Sequence, residues 1–164
     1  MNPTTSTLSS TDSFPLGVLR LNGRFHAVAG QAIPEGATIL RLQGSTRPDA
    51  TRYSIQVGWQ EHLETFVPLE DESALDRWQV RFMNHSCDPN TRIADLQVIA
   101  LRDIAAHEEL TFDYNTTEWE MSESFACECG HCDGQRIAGF ANLTAEEQRA
   151  RLHRIPQYLR SRMK

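Results

Sequence analysis

A chain of 164 residues, 40% hydrophobic and 23% charged, has the length and composition of one globular domain. Its formal charge of −6 argues against direct nucleic-acid binding and suits a basic polypeptide partner. No apolar run approaches the ~20 residues of a membrane span, and MNPTTSTLSSTDS has neither the basic nor the apolar region of a secretory leader. The expected location is therefore cytoplasmic, with the nucleus or delivery into a host cell left open.

Residues 1–13 read as a flexible polar tail. LGVLRL (16–21) and RFHAVA (24–29) read as strands joined at Asn22-Gly23, a dipeptide suited to a two-residue hairpin turn. ATILRL (37–42) follows the turn Pro34-Glu35-Gly36, and after Gly44 come two further strands, RYSIQVG (52–58) and HLETFV (62–67). ESALDRWQVRF (72–82) reads as a short helix with Ser73 as its N-cap. LQVIAL (96–101) and ELTF (109–112) resume the strand pattern. In the tail, Thr144 is a helix N-cap followed by two acids, and Leu152, Ile155 and Leu159 recur at helical spacing. Pro156 should break or kink that helix. The implied class is β-rich, mainly β with few short helices.

The cysteines are Cys87, Cys127, Cys129 and Cys132, a set that without a secretory leader reads as metal binding before disulfides. Cys127-Glu128-Cys129-Gly130-His131-Cys132 brings three thiols together, and Gly130 lets the backbone curl around one cation. Zn2+ takes four thiolates tetrahedrally. The fourth position falls to Cys87, the sole remaining cysteine, or else to His131 or water. Four sulfurs would close the shell and make one structural ion, with no metal-assisted chemistry.

Asn84-His85-Ser86-Cys87-Asp88-Pro89-Asn90 is followed by Glu109-Leu110-Thr111-Phe112-Asp113-Tyr114 and then by the cysteines of 127–132. In that order the three segments resemble the SET-domain protein lysine methyltransferases and their post-SET cysteines. AGQAIPEGATILRLQG (29–44) is similar to the first strands of that family. The resemblance implies small sheets around a pseudoknot and Cys87 as the fourth zinc ligand. It divides the chain into a tail (1–13), a SET domain (14–115), a post-SET zinc segment (116–134) and a helical appendage (135–164).

The same resemblance implies transfer of a methyl group from S-adenosyl-L-methionine to a lysine in a basic protein segment, histone-like or other. Tyr114 matches the active-site tyrosine, and Phe112 the position lining the lysine channel, although its alternation suits a core strand residue equally. Asn84 and His85 match cofactor contacts; turn chemistry for Asn84 and a buried, satisfied His85 are the plainer alternatives. Trp119 and Phe125 are both candidates to stack on adenine, or to pack the flap. Three departures stand out. Arg24-Phe25-His26 occupies the place of a Gly-x-Gly at the cofactor, so side chains at 24 and 26 must point away for it to bind. Leu42-Gln43-Gly44 replaces a Tyr-x-Gly, leaving Tyr53 as the substitute substrate-binding tyrosine. The cysteine cluster is two residues shorter than the family's usual spacing. An alternative of another class is a catalytically silent, zinc-containing SET-like module that binds a protein partner. A third is an enzyme acting on a small molecule or free amino acid.

Overall fold

The computed structural model describes residues 14–65 and 79–164. The expected polar tail and all but the last turn of the expected helix at 72–82 lie outside those residues. What is described of that helix, Gln79–Phe82, is a 3-10 turn.

Among the described residues, twelve short strands make five small sheets. Strands β1 (Leu16–Leu21) and β2 (Arg24–Ala29) form the expected hairpin. Asn22 and Gly23 both have positive φ, 51° and 79°, which a right-handed strand twist requires of a two-residue turn. Strand β3 (Thr38–Arg41) pairs with β9 (Gln97–Ala100), which pairs in turn with β8 (Thr91–Ala94). A third sheet orders β4 (Thr46–Arg47), β6 (Glu61–Glu64) and β5 (Ser54–Gly58). The β4 pair had no apolar alternation to announce it, because both of its residues are exposed.

One pairing is parallel. Strand β7 (Asn84–His85) lies beside β10 (Thr111–Phe112), with the β8–β9 hairpin between them in sequence. ELTF therefore divides its partners. Leu110 N–H donates to Ala27 O (2.8 Å), and Val28 bridges Glu109 antiparallel, whereas Thr111 and Phe112 turn to β7. Ala27 and Ala29 are fully buried at this junction, where small side chains let β2 lie close to the returning segment. The main core gathers Ile33, Ile39, Leu63, Met83, Val98, Ile104 and Leu110, all at most 1% exposed. Each contributes about 1.5–3 kcal/mol of burial.

Strands β11 (Phe125–Ala126) and β12 (Arg136–Ile137) close the base of the cysteine loop, so the expected boundary at 134 falls inside a hairpin. Helix α1 (Ala145–Ala150) starts at Thr144 with a capping box completed by Glu147. The helix stops at Ala150, before Pro156; a 3-10 turn follows at Leu152–Arg154, and α2 (Gln157–Arg160) begins directly after Pro156. Phe140, Leu143, Ile155 and Leu159 form a second buried cluster, against which Trp119 and Tyr158 pack.

The two clusters are joined by residues 139–141 lying on residues 115–119. Gly139 N–H donates to Asn115 Oδ1 (2.9 Å), and Phe140 N–H to Glu118 O (2.8 Å). Gly139 has φ +106°, and a Cβ there would meet Trp119 O at 2.6 Å. Gly139→Ala combines a disfavoured backbone with a backbone clash. It should lower unfolding free energy by about 2 kcal/mol or more, measured by urea denaturation.

Candidate active site and cysteine cluster

Tyr114 stands where β7 and β10 end together. Ser86 N–H donates to Phe112 O (3.1 Å), extending the parallel pair by one step. Asn90 stitches the two segments through its amide: Oδ1 accepts from Thr111 N–H (2.9 Å), and Nδ2 donates to Glu109 O (2.7 Å). Asn90 is only 2% exposed, so the Asp-Pro-Asn turn serves the crossing as well as the bend. The chain then enters a 3-10 turn, Tyr114–Thr116, capped by Asp113. Tyr114 O–H donates to Met83 O (2.8 Å), and burial raises its pKa well above that of a free phenol. The hydroxyl thus remains a proton donor of fixed direction.

His85 links this tyrosine to the cysteines. Tyr114 N–H donates to His85 Nδ1 (3.1 Å), so Nδ1 carries a lone pair and the ring proton belongs on Nε2. Nε2 lies 3.4 Å from Cys87 Sγ and is its hydrogen-bond donor. Burial holds the His85 pKa down at about 4 despite the nearby Asp113 carboxylate, keeping the ring neutral around pH 7.

Asp113 itself is 0% exposed. Its Oδ2 accepts from Arg151 Nε (2.7 Å) and Arg154 Nη2 (3.1 Å), and its Oδ1 caps Asn115 N–H (3.0 Å). Two arginines from the C-terminal helical segment therefore compensate the one carboxylate beneath the tyrosine. Neither arginine was singled out in the sequence.

The sulfurs of Cys87, Cys127, Cys129 and Cys132 all lie within 4.8 Å of one another. Cys87 Sγ is 3.8 Å from Cys127 Sγ, and no disulfide joins the four. Backbone amides aim at the sulfurs: Cys87 N–H and His131 N–H at Cys129 Sγ (3.5 and 3.4 Å), and Cys129 N–H at Cys127 Sγ (3.4 Å). Burial pushes the Cys127 thiol up to about 11. At Cys129 burial acts the same way, but donation from the Cys87 and His131 amides outweighs it and brings that thiol to about 6. Such a donor set fits a thiolate-loving cation, which would deprotonate the buried members outright. Gly130, at φ +80°, supplies the bend.

Two cavities meet at Tyr114. The larger, about 930 Å³, is lined by Arg24, Phe25, His26, Asn84, His85 and Phe125 among others. The smaller, about 400 Å³, has Tyr53, Phe112, Glu118 and Met121 in its wall. Tyr114, Phe125, Arg52 and Arg81 face both. The side chains at 24 and 26 do not point away from the larger cavity but line it, each meeting a carboxylate. Arg24 Nη2 reaches across to Glu128 Oε2 (2.6 Å), and His26 Nδ1 turns to Glu109 Oε1 (2.8 Å), which also accepts from Asn84 Nδ2 (2.9 Å). Tyr53 does reach the smaller cavity, with the Arg81 guanidinium 4.1 Å over its ring. Phe112 is both core and cavity wall, 4.7 Å from the Tyr114 ring. Of the two aromatic candidates for the larger cavity, Phe125 lines it. Trp119 does not; it packs against Phe140 and Trp59, because the chain beyond Thr117 turns into the C-terminal cluster.

Glu118 was not singled out in the sequence. It is 6% exposed, and Oε1 accepts from Gln56 N–H (2.7 Å) and Thr117 Oγ1 (3.3 Å). Burial pushes its carboxyl up to about 7 against those two donors.

The SET domain family model matches residues 24–115. Methyltransferase flvH of Aspergillus flavus is 31% identical over 121 residues, covering 70% of this chain and 61% of its own length. Histone-lysine N-methyltransferase ATX2 of Arabidopsis thaliana is 39% identical over 139 residues, 79% of this chain but 10% of that protein. The chain thus spans only part of the relatives it matches. Among solved structures, KRYPTONITE in complex with mCHG DNA and SAH superposes with a TM-score of 0.55 at 22% identity, over 76% of this chain and 29% of that one. That likeness establishes the fold.

Two outcomes follow from the buried charges. Replacing Arg151 by Met strands half of the compensation for Asp113 and should cost about 3–5 kcal/mol by urea denaturation, with little dependence on salt. Glu118 gains protons on folding between its ordinary pKa of 4.5 and about 7, so its ionisation costs stability as pH rises through that window. Glu118→Gln should therefore gain stability over the native protein on going from pH 4.5 to pH 8, by up to ~3 kcal/mol, read from urea curves at both pH values.

Proposed function

The chain belongs to the SET-domain family, and from that premise we propose that it is an S-adenosyl-L-methionine-dependent protein-lysine N-methyltransferase. The observation that carries the reading is the meeting of two cavities at one phenol. A donor in the larger cavity and a lysine in the smaller would approach each other from opposite sides of Tyr114. When bound, S-adenosylmethionine supplies an activated methyl group on a sulfonium.

The chain's own residues supply position and exclusion of water. Asn84, His26 and Glu109 form a hydrogen-bonded polar wall in the larger cavity, and Phe125 offers a ring face for a purine. Phe112 and Tyr53 give the smaller cavity walls suited to an aliphatic lysine stem. The Tyr114 ring is held by its backbone bond to His85 and its hydroxyl bond to Met83 O, so its oxygen is directed before the substrates arrive. An apolar channel also lowers the pKa of a buried lysine, favouring the nucleophilic amine.

Cys87, Cys127, Cys129 and Cys132 would hold one Zn2+ with no open position, fixing the loop that carries Phe125 against β7. The substrate class is a basic segment of a protein, in keeping with the charge of −6, and histones are the first to try, as the name of the ATX2 relative suggests. The DNA in the KRYPTONITE structure belongs to that protein. Direct nucleic-acid contact is not part of this proposal.

Labelled-methyl transfer into a panel of basic proteins tests the reading. Tyr114→Phe should lower turnover by at least about 10²-fold while thermal stability changes little, since one hydrogen bond is worth about 1 kcal/mol. Unchanged turnover would remove the phenol from the mechanism. Calorimetry with S-adenosylmethionine separates the enzyme from a silent module, which should give no heat of binding. Cys129→Ser should release the metal, measured by elemental analysis. Full zinc content in that variant would refute the ligand set.

A further inference from the structure

The geometry points to Glu118 as the group that takes the proton from the incoming lysine ammonium, a catalytic role that rests on the methyl-transfer reading above. Glu118 lines the smaller cavity together with Phe112 and Tyr114, where a lysine side chain would have to end. Nine-tenths of it is sealed from solvent, yet no arginine or lysine forms a salt bridge with it among the described residues. Among the described residues its one salt-bridge contact is His62 of β6, whose Nδ1 is 3.9 Å from Oε2 and has no hydrogen bond there. Burial lowers the pKa of that histidine, so it adds no compensating charge around neutral pH.

On the other sides, the cations in the wall of the smaller cavity are Arg52 and Arg81. Tyr158 of α2 spends its hydroxyl on Gln56 O and Thr117 O (both 2.7 Å), and Tyr114 spends its own on Met83 O. Across the cavity are Tyr53 and Arg81, the latter stacked on the Tyr53 ring, with Arg52 and Glu123 forming an ion pair at the rim (3.9 Å). Both donors to Glu118 are neutral and both use Oε1. Oε2 accepts no hydrogen bond among the described residues. A carboxylate placed this way is costly to the fold, since a glutamine would satisfy the same two donors without the charge. An entering ammonium is the cation that would complete it.

The proton balance is simple. A lysine N–H bond breaks, and its proton forms an O–H bond on Glu118. The freed amine lone pair attacks the methyl carbon, forming N–C as S–C breaks, and the sulfonium electron pair stays on sulfur as a thioether. The product leaves as a methylammonium, and Glu118 then returns its proton to solvent. A carboxyl near neutral pKa is suited to such a transfer at physiological pH.

The test compares native protein with Glu118→Gln, using labelled S-adenosylmethionine and purified core histones plus a lysine-rich synthetic peptide, with kcat followed from pH 5.5 to 9.5. The native profile should rise through a limb near pH 7. The variant should lose about 10²–10³-fold at pH 7, recover much of the loss by pH 9.5 as lysine deprotonates unaided, and bind the donor with native affinity by calorimetry. It should also be no less stable than native. An unchanged profile in the variant overturns the assignment of Glu118 while leaving the methyltransferase intact. A loss uniform across pH, with a lowered melting temperature, assigns Glu118 to structure and overturns it too. If the native protein neither binds the donor nor methylates any probe, the methyl-transfer reading fails and takes this inference with it.

Discussion

Only two residue pairs join β7 to β10, Asn84 with Thr111 and His85 with Phe112, yet the candidate site depends on that parallel contact. It brings the end of one strand to the end of another across the β8–β9 hairpin, and Tyr114 emerges at the meeting point. So short a contact has little strength of its own. Its support is lateral: Asn90 bonds both sides, β2 flanks residues 107–110, and the cysteines draw Cys87 toward the C-terminal loop.

A chain of polar groups runs through this junction and explains why its members are buried. Cys87 Sγ meets His85 Nε2, His85 Nδ1 holds the Tyr114 amide, and Asp113 is held by Arg151 and Arg154. Each link fixes the next: the Tyr114 amide sets the tautomer of the imidazole, and the tautomer sets which nitrogen can face sulfur. The C-terminal helical segment is therefore part of the site's foundation, although it lies beyond the residues matched by the family model. Its arginines leave Asp113 free to cap the turn that begins at Tyr114.

Local chemistry was legible in the sequence wherever a residue type had one use. Asn22-Gly23 specified a turn of two positive φ angles, Thr144 with Glu147 specified a capped helix, and the four thiols specified a cluster. Strand pairing was less legible. ELTF alternates as one strand, but its first half bonds to β2 and its second half to β7, a division set by tertiary crossing that no periodicity records. Trp119 looked like Phe125 in the sequence, since both are aromatic and follow the tyrosine. What separates them is the direction of the chain after Thr117, where Phe140 N–H bonding to Glu118 O carries it into the second cluster. Buried charge was the least legible of all. Glu118, Arg151 and Arg154 have the letters of a solvated surface, and only the fold around them removes the water.

The account turns on Tyr114 standing between a donor site on one side and a lysine site on the other. A crystal structure of the protein with S-adenosylhomocysteine and a lysine-containing peptide tests this most directly. The account places the thioether sulfur in the cavity of His26, Asn84 and Phe125, the lysine nitrogen in that of Tyr53, Phe112 and Glu118, and the Tyr114 hydroxyl beside both. Density showing both ligands in one cavity, or the peptide bound away from Tyr114, would contradict it.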